Sequence, residues 1–384
     1  MQSVDYLRDL IAFDTTSANP NRALIDYCAK VLSGAGAVVQ IIGDDTGTKA
    51  NLYATICPAN LPGVLLSGHT DVVPVTGQNW TKPPFALTQA DGKLYGRGTA
   101  DMKGFVAAAL RIAVLAGQRS LQTPLHLALS YDEEVGCIGV RSLIDMLAAA
   151  PFRPRFCIVG EPTLMAVATG HKGKTAYQVT CTGREGHSAL APMALNAIHL
   201  ATDMIGALRG IQADVMAKGS QDAAYDVPYT TLHVGQINGG TVLNIVPNTC
   251  TFAFEIRNLP EDDPADLLAR LRAAAAAILA PVRPEFPEAD IQIVLTNSYP
   301  PLGTAPDADV VSFVKSLTGA NGTTKVAFGT EGGLFSAHLG IATVICGPGS
   351  MAQGHRPDEF ISLAQLDQCD TMLDALLVRL QTGL

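Results

Sequence analysis

Four short apolar runs, widely separated in the chain, each end on a cluster of acidic or histidine side chains. Residues 63–66 lead into Ser67-Gly68-His69-Thr70-Asp71, residues 124–131 into Asp132-Glu133-Glu134, and residues 155–160 into Glu161-Pro162. Residues 342–346 lead into a glycine-rich loop that carries His355. Runs of this length, bounded by turn residues, read as buried strands. Helical patterns over 105–116 and 141–148 lie between them. A repeated order of strand, polar cluster and helix leads to an α/β domain whose chemistry sits at the carboxyl ends of its strands.

The flanking sequence extends this pattern and then interrupts it. Apolar Val4, Leu7, Leu10 and Ile11 predict a helix over 3–13, and a second helix follows Asn19-Pro20 and ends near Gly34. Strands are expected at 37–42 and 51–57, and a loop-rich segment at 75–95. Near residue 172 the texture changes. A strand over 174–182, a helix over 192–208, two strands within 230–257, a helix after Pro264 and a strand over 291–295 describe an inserted α+β domain. A helix at 308–317 and a last amphipathic helix at 363–380 return to the first texture. The expected division is 1–174 with 298–384 as a discontinuous catalytic domain, and 175–297 as the insert.

Composition narrows the function. Hydrophobic residues make up 48% of the 384 positions and charged ones only 16%, which fits a well-buried globular enzyme. A net charge of −9 disfavours nucleic acid and anionic membrane as partners. No apolar run approaches the roughly 20 residues of a membrane span, and the first six residues lack the layout of a signal peptide. Eight scattered cysteines without a C-x-x-C pair are expected as buried free thiols in a reducing cytoplasm.

The polar clusters can carry chemistry. His69 and Asp71 stand two apart at a strand end, so they leave it on one side. Alone, the pair suits either a metal ligand with its orienting carboxylate or a structural hydrogen-bonded pair. Asp101 lies in the glycine-rich turn Gly96-Arg97-Gly98-Thr99-Ala100-Asp101, just before a helix. Carboxylates converging from several strand ends repel one another, and burial raises their pKa values further. A pair of divalent cations removes that cost, and imidazole with carboxylate suits zinc, with cobalt or manganese as alternatives. Adjacent Glu133 and Glu134 face opposite ways on extended backbone. One can bind metal while the other serves as general base, a division that fits metal-assisted hydrolysis.

Taken together, the stretches SGHTDVVP, GRGTADMKG, YDEEVG, VGEP and GHRPDEF resemble the dinuclear-zinc metallopeptidase family of aminoacylases and carboxypeptidases. The resemblance covers essentially the whole chain. It implies a central mixed sheet flanked by helices and an inserted ferredoxin-like domain used for dimerisation or as a lid. It implies that His69 and Glu161 hold one metal, Glu134 and His355 the other, and that Asp101 bridges them. Glu133 is then the general base, Asp71 touches only His69, and the Asp101–Met102 peptide bond is cis. In the insert, His187 resembles the histidine that reaches a partner subunit's active site and stabilises the oxyanion. Arg257 resembles the arginine that grips the substrate α-carboxylate, and Asn244 a neighbouring substrate contact.

Within the family, Gly170–Lys174, Gly329–Gly333 and the run ending in GHRPDEF resemble most the branch that deacetylates N-acetyl-L-ornithine. The implied protein is a cytoplasmic homodimeric hydrolase with two zinc ions. Desuccinylation of succinyl-diaminopimelate and dipeptide hydrolysis are the alternatives within the enzyme class, and a non-catalytic amino-acid-binding protein on the same fold is the alternative of a different class. Arg356 stands where that branch usually has glutamine. Glu331, in a glycine-flanked loop, is a candidate for selecting the ornithine ammonium by a charge-assisted hydrogen bond. Its alternative role is to hold the loop through backbone amides. His126, His199 and His233 fall in strand or helix patterns and read as structural.

Overall fold

Four parallel strands form the middle of a nine-stranded mixed sheet: Leu125–Ser130, Val64–His69, Phe156–Pro162 and Ala342–Gly347, in that spatial order. The structure, a computed structural model, describes every residue except 57, 59 and 60. The first three of these strands are buried at every position, and the fourth at all but Ala342. Strands covered on both faces must be apolar throughout, which explains the unbroken hydrophobic runs in the sequence. Antiparallel strands extend the sheet on both sides. Ala50–Ile56 and Val38–Gly43 lie beyond Leu125–Ser130, while Ala168–His171 and Leu302–Gly303 lie beyond Ala342–Gly347. Cys57, the expected last residue of the second strand, lies outside the described residues.

Register sets up the strand ends. His69 lies opposite Ser130, and Ser67 opposite Val159. Two residues further along the second pair, Glu161 comes beside His69. The helix Lys103–Ala116 packs on this sheet with eleven of its residues buried, a run of alanines letting it approach closely. Gly160 serves the same approach: a Cβ there would sit 1.9 Å from Cγ of Phe105, in the first turn of that helix.

The sheet and its helices belong to one compact unit, Met1–His171 with Leu302–Leu384; Lys172–Pro301 forms a second. The second unit runs strand, helix, strand, strand, helix, strand, and its antiparallel sheet has the ferredoxin-like arrangement. Tyr177, Val179 and Cys181 alternate inward with Phe252, Phe254 and Ile256 to meet the helices Ala197–Lys218 and Pro264–Leu279. Pro264 opens the second helix and Asp263 caps it by accepting from Ala265 N, so the acidic run there is a helix start.

Two expectations shift. The helix expected over 192–208 is a short 3₁₀ turn, Ser188–Met193, followed by Ala197–Lys218. Asn196 supplies the N-cap by accepting from Ile198 N, and Ile211 and Val215 prolong the buried stripe. The loop-rich segment holds two short strands, Thr88–Ala90 and Lys93–Tyr95, joined by the distant Phe360–Ser362. Seven described cysteines are buried free thiols. Among the described residues, no helix is long and apolar enough to cross a membrane.

Candidate metal centre

The carboxyl ends of the four parallel strands, with the turn before the Lys103–Ala116 helix, assemble one cluster. His69 is the last residue of its strand, and its Nε2 lies 3.1 Å from Asp101 Oδ1 and 3.7 Å from Glu161 Oε1. On the other side of Asp101, Oδ2 lies 3.2 Å from His355 Nε2, which is itself 3.0 Å from Glu134 Oε2. The two oxygens of Asp101 thus face two different histidine–glutamate pairs. Ligand atoms of His69, Asp101 and Glu134 fall within 4.8 Å of one another, as do those of His69, Glu133 and Glu161. Glu133 is therefore within reach of the His69 side as well. The Asp101–Met102 peptide bond is cis.

Burial and like charge dominate the electrostatics of this cluster. Burial pushes Glu133 up to about 8 and Glu134 up to about 7, and it carries Glu161 well above the usual carboxylate range. Asp101 goes the other way: burial raises it, but hydrogen bonds from His355 and His69 lower it more. His355 rises to about 10 through its bonds to Asp101 and Glu134. Burial lowers His69, and Asp101, Asp71 and Glu161 more than reverse this. The charges that offset one another here are two imidazoles against several carboxylates. Nitrogen and oxygen donors gathered in this way, short of positive charge, fit a pair of divalent cations.

Asp71 has a larger part than touching His69 alone. His69 Nδ1 lies 2.9 Å from the main-chain carbonyl of Asp71 and 3.5 Å from its carboxylate, which fixes the ring with Nε2 toward the cluster. The Asp71 carboxylate accepts from Glu133 N at 3.1 Å, Glu134 N at 3.2 Å and Ser17 Oγ at 2.7 Å. It orients one ligand and also anchors the backbone of the two glutamates. Cys137 Sγ donates to Glu133 Oε1 at 3.3 Å. Asp132, the first of the acidic triplet, pairs with Lys49 Nζ at 2.6 Å and stays out of the cluster. Ser17 and Cys137 carry no sequence signal for these contacts, since their partners are fixed only by the fold.

Glu331 lies within electrostatic reach of His69, Asp71 and Glu133, and the other substrate-contact candidates lie in the second unit. Glu331 is 1% exposed and accepts from Ser67 Oγ at 3.2 Å, while its Oε1 has no well-formed hydrogen bond. Burial pushes it up to about 7, against the lowering effect of Ser130 and Ser67. Its loop is held by His171 Nε2, which accepts from Gly333 N at 3.0 Å. In the second unit, Gly186–His187 pairs with Ile245–Val246, so His187 and Asn244 lie on one small ribbon, both exposed. His187 Nδ1 accepts from Ala189 N at 3.0 Å, which places the ring proton on Nε2. Arg257 is forked onto Glu255, at 2.9 and 3.3 Å, and donates to Tyr299 Oη at 2.9 Å. The local acid it meets is Glu255, two residues away on the same face of its strand. His126 is structural: buried, stacked on Tyr53 and bonded to Thr55 Oγ1 at 3.0 Å.

Known proteins share this sequence and fold. The chain is 36% identical over 372 residues to acetylornithine deacetylase of Myxococcus xanthus, covering 96% of this chain and 94% of that protein. It is 35% identical over 364 residues to acetylornithine deacetylase of Pasteurella multocida (strain Pm70), with 94% and 92% covered. Among solved structures, an M20 family metallo-carboxypeptidase from Sulfolobus solfataricus superposes with a TM-score of 0.80 at 19% identity, over 98% of each chain. A dinuclear metal binding peptidase of the M20 family from Bacillus subtilis gives a TM-score of 0.70 at 14% identity, over 99% of this chain and 98% of that one. The model of peptidase family M20/M25/M40 matches residues 65–379, a span that contains every member of the cluster, and the chain belongs to that family.

Proposed function

We propose that the protein hydrolyses N-acetyl-L-ornithine to L-ornithine and acetate, a deacetylation that serves arginine biosynthesis in the cytoplasm. The observation that carries this reading is Asp101 set between two histidine–glutamate pairs, His69 with Glu161 and Glu134 with His355. Similarity along nearly the whole chain to acetylornithine deacetylases supports the substrate. In this reading His69, Glu161 and Asp101 hold one divalent cation, and Glu134, His355 and Asp101 hold the other. Zn²⁺ suits these donors best, with Co²⁺ or Mn²⁺ as alternatives. Such a pair, when bound, polarises an acyl carbonyl and makes water a usable nucleophile at neutral pH.

The chain's own groups do the rest. Glu133, whose carboxylate lies within 4.8 Å of the His69 and Glu161 ligand atoms, takes a proton from the attacking water and hands it to the leaving amine. Asp71 keeps the Glu133–Glu134 backbone and the His69 ring in register for that transfer. Three of the five N–H groups of Arg257 are engaged by Glu255 and Tyr299, and the other two are suited to a substrate α-carboxylate. Asn244 adds a polar contact to substrate, and Glu331 receives the side-chain ammonium.

A homodimer completes the proposal, with the partner subunit's His187 donating Nε2–H to the developing oxyanion. Support comes from apolar side chains around the His187 ribbon: Leu190, Met193 and Val242 are each more than half exposed, and Leu243 is 99% exposed. Large apolar side chains exposed in this number near one ribbon suit burial against another chain. The test is a panel of N-acetylornithine, succinyl-diaminopimelate and dipeptides, assayed with and without chelator. Preference for N-acetylornithine that vanishes with chelator and returns with zinc supports the proposal. Chelator-insensitive turnover, or preference for another member of the panel, overturns it.

A further inference from the structure

We propose that Glu359 is a positioning residue for the Asp101 carboxylate, and that through Arg97 and Gln78 it also fixes the loop that carries His355. Glu359 is 1% exposed, and its two oxygens are saturated by the turn that holds Asp101. Oε1 accepts from Ala100 N at 2.9 Å and from Asp101 N at 3.1 Å. Oε2 accepts from Gly98 N at 3.1 Å and from Arg97 Nη1 at 2.6 Å. Backbone N–H groups that converge on one point make an anion cradle, a geometry that elsewhere holds phosphate. Here the anion is the protein's own side chain, brought from a segment 258 residues away from Asp101.

The turn depends on that anion. Gly98 has φ of +88°, and a Cβ there would come 2.8 Å from Val72 Cγ1, so its backbone is bent and closely packed. Three N–H groups within four residues point one way and need a charged acceptor with two oxygens to satisfy them. The same contacts reach His355. Arg97 is buried like Glu359, and its Nη2 donates to Gln78 Oε1 at 2.6 Å. Gln78 Nε2 in turn donates to the main-chain carbonyl of His355 at 2.9 Å. His355 has φ of +61°, a left-handed backbone that a non-glycine residue keeps only when its surroundings hold it. Glu359, Arg97 and Gln78 therefore tie together two groups of the Glu134–Asp101–His355 side. His69 and Glu161 stand directly on strand ends, and only their shared neighbour Asp101 links them to this chain of contacts.

The inference rests on the two-cation reading and states an asymmetry within it. The probe is Co²⁺ alone, titrated into metal-free protein and followed by its d–d absorption, on the unaltered chain, Glu359→Gln and Gln78→Ala. A glutamine keeps the size of Glu359 but offers one acceptor oxygen, so one pair of donors loses its partner. The expected result is two equivalents bound by the unaltered chain. Glu359→Gln should bind both equivalents less well, at least one of them about tenfold, because Asp101 serves both. Gln78→Ala, which reaches only the His355 carbonyl, should weaken one equivalent and leave the other within about threefold. Fewer than two equivalents on the unaltered chain would sink the two-cation reading itself. Two equivalents there, with both variants unchanged, or with Gln78→Ala weakening both sites equally, overturn the positioning role alone. If Glu359→Gln does not fold, the outcome for Gln78→Ala decides.

Discussion

Gly160 offers a sharp test of how the fold delivers the cluster. A Cβ added there meets Phe105 Cγ at 1.9 Å and Cδ1 at 2.0 Å. Carbon atoms in contact rest about 3.5–4.0 Å apart, so the ring must retreat by roughly 1.5–2 Å. Phe105 is 1% exposed and sits in the first turn of the Lys103–Ala116 helix, with the core around it filled. Overpacking of this kind costs about 1–3 kcal/mol, and with both atoms held by regular elements the upper part of that range applies. In a unit of this size about 3 kcal/mol lowers Tm by roughly 6–12 °C. Urea unfolding at fixed metal concentration gives the free energy directly. Phe105→Ala alone should cost about 3–5 kcal/mol through its cavity. In that background Gly160→Ala should cost less than about 1 kcal/mol, because the new methyl enters the space the ring has left. The reasoning is refuted if Gly160→Ala costs the same with and without Phe105, or costs less than about 0.5 kcal/mol in the unaltered chain.

Three further outcomes follow from individual residues. Burial lowers His126 from 6.5 to about 4, so below pH 6.5 the unfolded chain takes up a proton that the folded chain refuses until about pH 4. Stability is thus lost as pH falls through that window, and His126→Gln should lose about 2 kcal/mol less than the unaltered chain between pH 7 and 4.5; equal losses in urea unfolding exclude the effect. Glu331→Gln should narrow the kcat/KM preference for N-acetylornithine over N-acetylnorvaline, and an unchanged ratio rules out the ammonium contact. His187→Ala and Glu133→Gln chains, each inactive, should regain partial activity when mixed and allowed to exchange subunits. No recovery in proven heterodimers contradicts a shared site.

The parts of the fold legible in the sequence are those whose burial leaves a one-dimensional mark. Val64–His69, Leu125–Ser130 and Phe156–Pro162 are buried on both faces, so each shows as an unbroken apolar run. The Lys103–Ala116 helix is marked by its alanines, and the inserted unit by alternation in strands such as Lys174–Thr182. Three-residue strands such as Thr88–Ala90 and Phe360–Ser362 leave no period to detect, and their pairing joins distant segments. The Gly332–Leu339 helix escaped because it is eight residues long and begins with two glycines.

The site divides along the same line. His69, Asp101, Glu134, Glu161 and His355 stood out, together with Asp71, Asp132 and Glu133, because imidazole and carboxylate groups at strand ends and loop turns have few structural reasons to be there, and the family resemblance separated the ligands from the rest. The groups that hold them did not. Glu359 looks like any acidic residue until its partners, 258 to 261 positions earlier, are brought beside it. The bonds from Glu133 N and Glu134 N to Asp71 cross between neighbouring strand ends, and only register creates that proximity. Arg257 with Glu255 is the exception, since residues two apart on a strand share a face and the pair could have been read from alternation alone.

The most direct measurement is an anomalous difference map from crystals of the metal-loaded protein. The account expects two peaks about 3.5–4 Å apart. One should lie within bonding distance of His69 Nε2 and Glu161, the other of Glu134 and His355 Nε2, with one oxygen of Asp101 on each. A single peak, or a metal bonded directly to the Asp71 carboxylate, would contradict the account.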